Sequence, residues 1–393
     1  MRPPSGQIQV HILLRELLRF NGSSADIPIS DEEWRALLGA SEALDVVPAL
    51  FQVAKKRKNV PQEILNYLSK RQNTVLTANV LLLSELDRTL DAIAASSIPV
   101  ILLKGASFFK HHGWPPSIRS MTDLDLLVRQ EHLAETAKVL GEIGFVEEPG
   151  DLAPGFSSRF LGECSFIKTT ARPCRLDLHQ RLFLFGAARG ENDAVWRRSV
   201  HIAGAPETVR VLSLEDELHY LAFHLAFHHR GSGLRWELDI ARLIHQYRDR
   251  IDWDALLSAA YRCRTGLAVR SALEAAVGLG AGIPTEVMEQ LRTYRPTRGE
   301  RLFWELVMDE RFTWHARTIA LLPSIGGIRG KAAYLYAKLF PSPEYAARAY
   351  GLPQNAGKTA TVKRMLGLIA KCGVGVRLAV KALIPPAGKR TRG

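Results

Sequence analysis

The chain has 393 residues, of which 47% are hydrophobic and 23% charged, a composition typical of globular proteins with two or three domains. It contains no uncharged apolar run long enough for a transmembrane segment, and its four cysteines lack the CxxC spacing of a zinc site. Charges interrupt its first apolar stretch, unlike in a secretory signal, so we expect a cytoplasmic protein with reduced thiols.

The net charge of +12 is concentrated at the carboxyl terminus. Ten basic residues and no acidic residue follow Glu344, so the rest of the chain is close to neutral. We therefore expect a basic tail over residues 351–393. We expect such a tail to contact an anionic partner. The candidates are an acceptor molecule, a nucleic acid and a membrane surface.

Residues 1–95 are predicted to form an amino-terminal helical region. The stretch "SDEEWRALLGASEA" offers Ser30 or Asp31 as an N-cap, with Glu33 completing a capping box. Apolar residues then recur at spacings of three and four until Pro99, which makes continuation of the helix improbable.

Residues 96–205 are predicted to form a small α/β core. "IPVILLKG" and "DLDLLV" have the pattern of strands, "EHLAETAKVLGEIGF" that of a helix, and "SFIKT" and "RLDLHQRL" that of two further strands. A carboxyl-terminal helical domain over residues 206–350 follows, in which Ser213 caps "LEDELHYLAFHLAFHH". The order of these elements predicts an α+β fold.

Three aspartates are the candidate catalytic and metal-binding residues. Asp123 and Asp125 lie two apart on a predicted strand, so their side chains share a face and repel each other unless a cation lies between them. Mg²⁺ is such a cation when phosphates are the substrate. Asp177 lies on another predicted strand and would complete a two-metal arrangement. We expect loss of the charge of Asp123 or Asp125 to abolish turnover without destabilising the fold.

Lys104-Gly105-Ala106-Ser107 lies between a predicted strand and a predicted short helix, "SFFKHH". Gly105 would let the backbone approach a phosphate, Ser107 could donate a hydroxyl, and Lys104 and Arg119 could supply positive charge. An ordinary left-handed turn capped by Ser107 is the alternative interpretation of this stretch.

The carboxyl-terminal region contains a histidine-rich helix. His224 and His228 are spaced four apart, which is compatible with a metal pair, but the apolar residues around them indicate a core position. We instead predict that His228, Arg235 and Asp239 form a wall of the cleft.

The segments "LLKGASFF", "RSMTDLDLLV" and "LDLHQRL" resemble the DNA polymerase β-like nucleotidyltransferase superfamily. Within it, they are similar to a bacterial family of uncharacterised nucleotidyltransferases with an LKG motif. The resemblance implies a small mixed-sheet core flanked by helical regions, catalysis with Mg²⁺ or Mn²⁺, and a nucleoside triphosphate substrate, expected to be ATP. It supports Asp123, Asp125 and Asp177 as metal ligands, and it implies nucleotide contacts from Lys104, Gly105, Ser107, Arg119 and Ser120.

The function that we expect from this resemblance is transfer of a nucleotidyl group to a protein, peptide, RNA or small-molecule acceptor. The alternatives are kinase-like phosphoryl transfer to a peptide or small molecule, and a nucleotide-binding module without catalysis. The sequence itself does not choose among the acceptors.

Overall fold

The computed structural model describes residues 5–20, 27–148, 152–169, 173–183, 189–309, 321–322, 325–342 and 345, so the predicted basic tail lies outside the described residues. The first part of the chain is helical, as predicted: α1 (Ser5–Leu17), α2 (Asp31–Ala43), α3 (Val47–Ala54) and α4 (Gln62–Ala95). Ser30 caps α2, and the backbone N–H of Ser30 donates to Glu33 over 2.8 Å, which completes the predicted capping box.

A seven-stranded sheet follows α4. In chain order, its region contains β1 (Val100–Leu102), α5 (Lys104–Lys110), β2 (Leu124–Val128), α6 (Leu133–Glu142), β3 (Val146–Glu147), β4 (Glu163–Lys168), β5 (Cys174–His179), α7 (Arg189–Arg198), β6 (Val200–His201) and β7 (Val209–Val211). The order across the sheet is β3-β4-β5-β2-β1-β7-β6. The sheet is mixed, because β2 pairs with β5 and β1 with β7 in parallel, while the other pairs are antiparallel.

The apolar composition of the two central strands follows from their position. Every residue of β1 and β2 is buried, because both strands have neighbours on each side and are covered on both faces. Helix α5 begins at Lys104, three residues before the predicted "SFFKHH" helix. The short strands β3, β6 and β7 were not predicted, since two or three residues show no periodicity.

The carboxyl-terminal helices begin with α8 (Leu214–His229), whose Ser213 cap is observed as predicted. They continue with α9 (Leu234–Tyr247), α10 (Trp253–Cys263), α11 (Gly266–Gly278), α12 (Thr285–Thr293), α13 (Arg298–Met308) and α14 (Gly327–Leu339). Short 3₁₀ segments lie at Gln130–His132 and Arg248–Arg250, and a π-helical turn at Ser157–Leu161. Throughout the described ranges, each helix is too short or too polar to cross a bilayer.

The helices before and after the sheet share one hydrophobic core. Leu37 and Leu50 of the first group and Leu225 and Leu273 of the last group belong to the same cluster of buried residues. A second cluster joins the end of α4 to one face of the sheet, including Leu86 and Leu126. The architecture is therefore α+β, with a mixed sheet flanked by helices, and the predicted fold class is confirmed.

Candidate active site

Asp125 and Asp177 lie next to each other at the centre of the sheet. The parallel pairing of β2 and β5 places these two residues opposite each other in register. Side chains at the same level of neighbouring strands point to the same face of a sheet. The predicted pair of carboxylates on adjacent strands is therefore brought together by strand register alone.

Lys104 and His179 both contact the carboxylate of Asp125. The Nζ atom of Lys104 lies 2.7 Å from Oδ1 of Asp125, and Nε2 of His179 lies 3.0 Å from the same oxygen. Lys104 has a φ of 48°, in the left-handed region that residues with a side chain seldom adopt. Such backbone strain is concentrated at functional sites, where surrounding contacts maintain it.

These contacts keep Asp125 ionised although only 3% of the residue is exposed. Burial raises the pKa of Asp125, but the Lys104 ammonium and the hydrogen bond to His179 outweigh burial and hold that pKa well below its ordinary value. In return, Asp125 raises the pKa of Lys104 and of His179 against the opposing effect of burial on each. The site thus contains a buried carboxylate whose charge is balanced by the protein.

Asp177 is held by the neighbouring strand. The Ser165 hydroxyl donates to Oδ1 of Asp177 over 2.6 Å, and Nε of Arg175 donates to the same oxygen over 3.2 Å. Ser165 is opposite Asp177 in the antiparallel pairing of β4 with β5. Within the described part of the chain, Oδ2 of Asp177 and Oδ2 of Asp125 receive no hydrogen bond.

Asp123 lies one residue before β2, whereas the alternating pattern placed it on the strand. The hydroxyl of Thr122 donates to its Oδ1 over 3.1 Å. Burial raises the pKa of Asp123, and the charges of Asp125 and Asp177 raise it further. All three predicted aspartates therefore interact electrostatically, and Asp123 is the one whose negative charge is least compensated.

The donor set suits Mg²⁺, which prefers carboxylate oxygens and commonly takes only one or two of them together with substrate phosphates. The three aspartates do not form a closed cage: across the ranges described above, no group of three or more His, Cys, Asp or Glu side chains is arranged to hold a metal ion. The repulsion that raises the pKa of Asp123 is the effect that a bound cation would relieve.

Because Gly105 has no side chain, other protein atoms pack close to its Cα atom. A Cβ at this position would lie 2.8 Å from Sδ of Met121 and 3.1 Å from Nη1 of Arg119. Gly105 thereby lets the segment that carries Arg119 pack against α5. Ser107 is fully buried, and its hydroxyl has no hydrogen-bond partner among the described residues.

Arg119 is oriented by Asp239, which lies on α9. Nε of Arg119 lies 3.1 and 2.9 Å from the two carboxylate oxygens of Asp239, and its guanidinium lies 5.2 Å from the centre of the Phe108 ring. Burial raises the pKa of Asp239, although the charge of Arg119 opposes this effect. Arg119 and Asp239, predicted separately, thus form one buried ion pair.

Ser120 and Arg235 both contact Asp45, which follows α2. The Ser120 hydroxyl donates to Oδ2 of Asp45 over 2.7 Å, and Nη1 of Arg235 donates to the same oxygen. The guanidinium of Arg235 lies 4.1 Å from the centre of the Trp236 ring. The two predicted residues are therefore linked through a residue of the amino-terminal helices.

Asn79 of α4 holds the segment that carries Arg119 and Ser120. Its amide nitrogen donates to the carbonyl oxygens of Pro116 and Arg119 over 2.6 and 2.7 Å, and its Oδ1 accepts from the Met121 N–H over 2.9 Å. Both the amide nitrogen and the amide oxygen of Asn79 are therefore hydrogen-bonded, as expected for a polar residue that is 1% exposed.

His228 belongs to a stacked group of aromatic side chains on α8 and α9. Its ring lies 4.6 Å from that of His224, and His229 stacks on Trp236 at 3.5 Å. Burial lowers the pKa values of His224 and His228 well below the ordinary value, and the charge of Lys104 lowers them further. These neutral rings therefore lie within electrostatic range of the Lys104–Asp125 pair.

Sequence reasoning did not identify His179, Tyr220 or Asn79. His179 could have been found, since it lies two residues after Asp177 on the same strand and so shares its face. Tyr220 is buried beside Lys104, whose ammonium lies 5.9 Å from its ring centre. Nothing in the sequence distinguishes Asn79 from other polar residues of a long helix.

The chain was compared with protein families, with curated proteins and with solved structures. A family model described as "uncharacterised nucleotidyltransferase" matches residues 30–279, which is more than half of the chain. No curated protein and no solved structure matches the chain. The matched range includes every residue of the site described above. The chain therefore belongs to this family of nucleotidyltransferases.

Proposed function

We propose that this protein transfers a nucleotidyl group from a nucleoside triphosphate, ATP in the first instance, to an acceptor hydroxyl. The observation that supports the proposal is the register of Asp125 with Asp177 on parallel strands, beside Asp123. Family membership supports nucleotidyl transfer in general. An in-line attack on the α-phosphorus would form the new ester bond and release pyrophosphate.

Asp123, Asp125 and Asp177 would hold Mg²⁺ or Mn²⁺. The bound metal would neutralise phosphate charge and lower the pKa of the attacking hydroxyl. The protein would keep Asp125 charged and oriented through Lys104 and His179, which leave Oδ2 of Asp125 without a hydrogen bond from the described residues.

Positively charged side chains of the site would receive the triphosphate. Lys104 contacts Asp125, and Arg119 is held in a fixed orientation by Asp239. Gly105 allows Arg119 to approach α5, and Ser120 helps to fix Arg235 through Asp45. Cations that are already held in place stabilise the negative charge that develops on the phosphate oxygens during transfer. They do so without having to move during the reaction.

The reaction is tested with two labelled substrates. ATP labelled at the α-phosphorus and ATP labelled at the γ-phosphorus are incubated separately with the purified protein, Mg²⁺ and a host lysate, and modified species are identified by mass. Transfer of the α label supports nucleotidyl transfer. Transfer of the γ label alone would establish the kinase-like alternative, and binding without transfer of either label would establish a nucleotide-binding module.

A pair of variants tests whether transfer of the label depends on the candidate site. Asp177→Asn should abolish transfer, because it removes one of the negative charges assigned to the metal. Asp193→Asn, an exposed aspartate on α7, is the control and should retain transfer. Loss of transfer in both variants, or in neither, would contradict the assignment of Asp177.

The basic tail is the proposed contact for an anionic acceptor. Deletion of residues 357–393 should leave triphosphate binding unchanged and reduce modification of the natural acceptor, with a smaller loss at high salt because salt screens exposed charges. Acceptor use is measured at low and high ionic strength for both chains. Equal modification by the truncated chain at low ionic strength would contradict this role.

A further inference from the structure

A cavity lies between the amino-terminal helices and α9. Its volume is about 850 Å³, within the range of small-molecule sites. Its described lining includes Trp34 of α2, Val53 of α3 and Leu238 of α9, but none of the three aspartates. The cavity is thus a different place from the carboxylate site.

The charges around this cavity have one sign. Five basic residues are among its described lining residues, and no acidic residue is: Arg19, Lys56, Arg57, Lys58 and Arg242. The lining also contains apolar side chains, among them Phe20 and Ile29. A cavity with cationic and apolar surfaces favours a ligand that carries both negative charge and apolar surface.

Arg242 is the most informative of these cations. Its guanidinium lies 5.6 and 5.4 Å from the ring centres of Phe20 and Trp114, and no described residue accepts a hydrogen bond from it. Burial lowers its pKa, and the charge of Asp239 opposes this only in part. Arg242 is half-buried, and a guanidinium without a bonded carboxylate is available to pair with a bound anion.

Two other donors around the cavity lack acceptors. The indole N–H of Trp34 and the Nε–H of Arg19 are buried, and neither has a hydrogen-bond partner in the described part of the structure. Trp34 itself is 0% exposed. Nη1 of Arg19 is paired with Glu16 at 3.1 Å, and because the two unpartnered nitrogens are buried, a ligand in the cavity would contact other atoms of these side chains.

We propose that this cavity binds a small organic monoanion, a carboxylate or sulfonate attached to an apolar body. Arg242 would contact the anionic group, the exposed Lys56 and Lys58 would attract it, and Phe20 and Ile29 would contact the apolar part. Leu238 and Arg242 are spaced one turn apart on α9, so both can face the cavity. The inference does not depend on nucleotidyl transfer.

The test compares two dyes that share an apolar body. Anilinonaphthalene sulfonate carries a negative charge, whereas N-phenylnaphthylamine lacks it. The full chain is titrated with each dye, and bound dye is followed by fluorescence. We expect the sulfonate to saturate at one molecule per chain and to bind about tenfold more tightly than the neutral dye. Equal affinities would overturn the proposal, because they would show a purely apolar site.

Variants locate the dye. Arg242→Gln should weaken sulfonate binding about tenfold and leave the neutral dye unchanged. If this variant does not fold, the double variant Lys56→Gln and Lys58→Gln tests the same charge at exposed positions, and it should weaken binding several-fold with a reduced dependence on salt. Lys138→Gln on α6 is the control, since that exposed lysine is not among the described lining residues.

Competition separates the two sites. ATP with Mg²⁺ should not displace the sulfonate, because the cavity lining does not include the aspartates or Lys104. Displacement by ATP would show that the dye occupies the triphosphate site and would overturn a separate anion site. Unchanged sulfonate binding in both charge variants would overturn it equally.

Discussion

At the scale of single residues, the two aspartates that flank Leu124 have opposite electrostatic environments. Asp125 is paired with Lys104 and His179, which hold its pKa well below the ordinary value despite burial. Asp123 is partly buried beside other carboxylates, and its pKa is raised. For Asp125, this pairing leads to a different expectation from the sequence-based one that loss of its charge does not destabilise the fold.

This difference predicts that replacement of Asp125 and replacement of Asp123 by Asn change the free energy of unfolding differently. Asp125→Asn should lower the free energy of unfolding by about 3 kcal/mol, because it leaves the buried Lys104 ammonium without its partner. Asp123→Asn should leave that free energy unchanged or raise it, because it removes like-charge repulsion. Both should lose turnover. Denaturant titration of the two proteins distinguishes them, and equal stabilities would contradict the pairing.

A second prediction concerns how the free energy of unfolding changes at acidic pH. The pKa of Asp125 is lower in the folded chain than in the unfolded chain, so its stabilising contribution is present above the unfolded value of about 3.9 and is lost as the pH falls further. Lys104→Met removes the cation that lowers this pKa. The difference in unfolding free energy between the wild type and Lys104→Met should therefore be large at about pH 7 and decrease below about pH 4.

The control for this acid dependence is Lys138→Met on α6, where the lysine is exposed and pairs loosely with Glu142 at 3.8 Å. Its effect on stability should be small at every pH, as is usual for surface ion pairs. A Lys104→Met effect that stays constant between neutral and acidic pH would exclude Asp125 as the group responsible.

At the scale of elements, the helix α4 connects the amino-terminal helices to the candidate site. Its first part packs into the shared helical core through Ile64 and Leu68, and its last part covers the sheet through Leu86 and Ile93. Between these parts, Asn79 bonds to the segment that carries Arg119 and Ser120. One polar side chain of a long helix thus helps to hold that segment, together with the contacts of Arg119 with Asp239 and of Ser120 with Asp45.

Asn79→Ala should therefore affect both stability and substrate binding. Loss of its bonds leaves buried backbone groups unpaired, which costs about 2 kcal/mol, and the released segment should raise KM for the triphosphate. Asn66→Ala on the same helix is the control, because Asn66 lies at the surface and bonds only to Gln62 among the described residues. Equal KM values for Asn79→Ala and the wild type would show that the segment is held by other contacts.

At the scale of the whole molecule, helices that are more than 150 residues apart in the chain build one core. Trp34, Leu37 and Leu50 belong to the same buried cluster as Leu225 and Leu243. The sheet lies between these helices in sequence, and the second core cluster joins it to α4. The helical regions before and after the sheet therefore contribute to one another's stability.

Leu50→Ala tests this shared core. Leu50 is 0% exposed, so truncation should lower the free energy of unfolding by about 3 kcal/mol. Because the core includes both helical groups, tryptophan fluorescence and far-ultraviolet circular dichroism should report one coincident transition at lower denaturant. Two separate transitions, with only the amino-terminal helices shifted, would show that the regions unfold independently.

Features that depend on residues close together in the chain could be predicted from the sequence. The capping box at Ser30 and Glu33 and the cap at Ser213 were predicted and are observed, because caps join residues three positions apart. The central strands were predicted from their apolar runs, although their ends shifted by a few residues. The α+β class followed from the order of these elements.

The tertiary structure alone decided which distant residues meet. Arg119 and Asp239 are 120 residues apart, and Arg235 and Asp45 are 190 apart, so no local spacing relates them. The pairing of Lys104 with Asp125 depends on the register of β1 with β2 and on the left-handed backbone of Lys104. Local sequence specifies which elements form and which residues they carry. Long-range packing and strand register determine which charges compensate one another, because charge compensation depends on distances in space that the chain acquires only on folding.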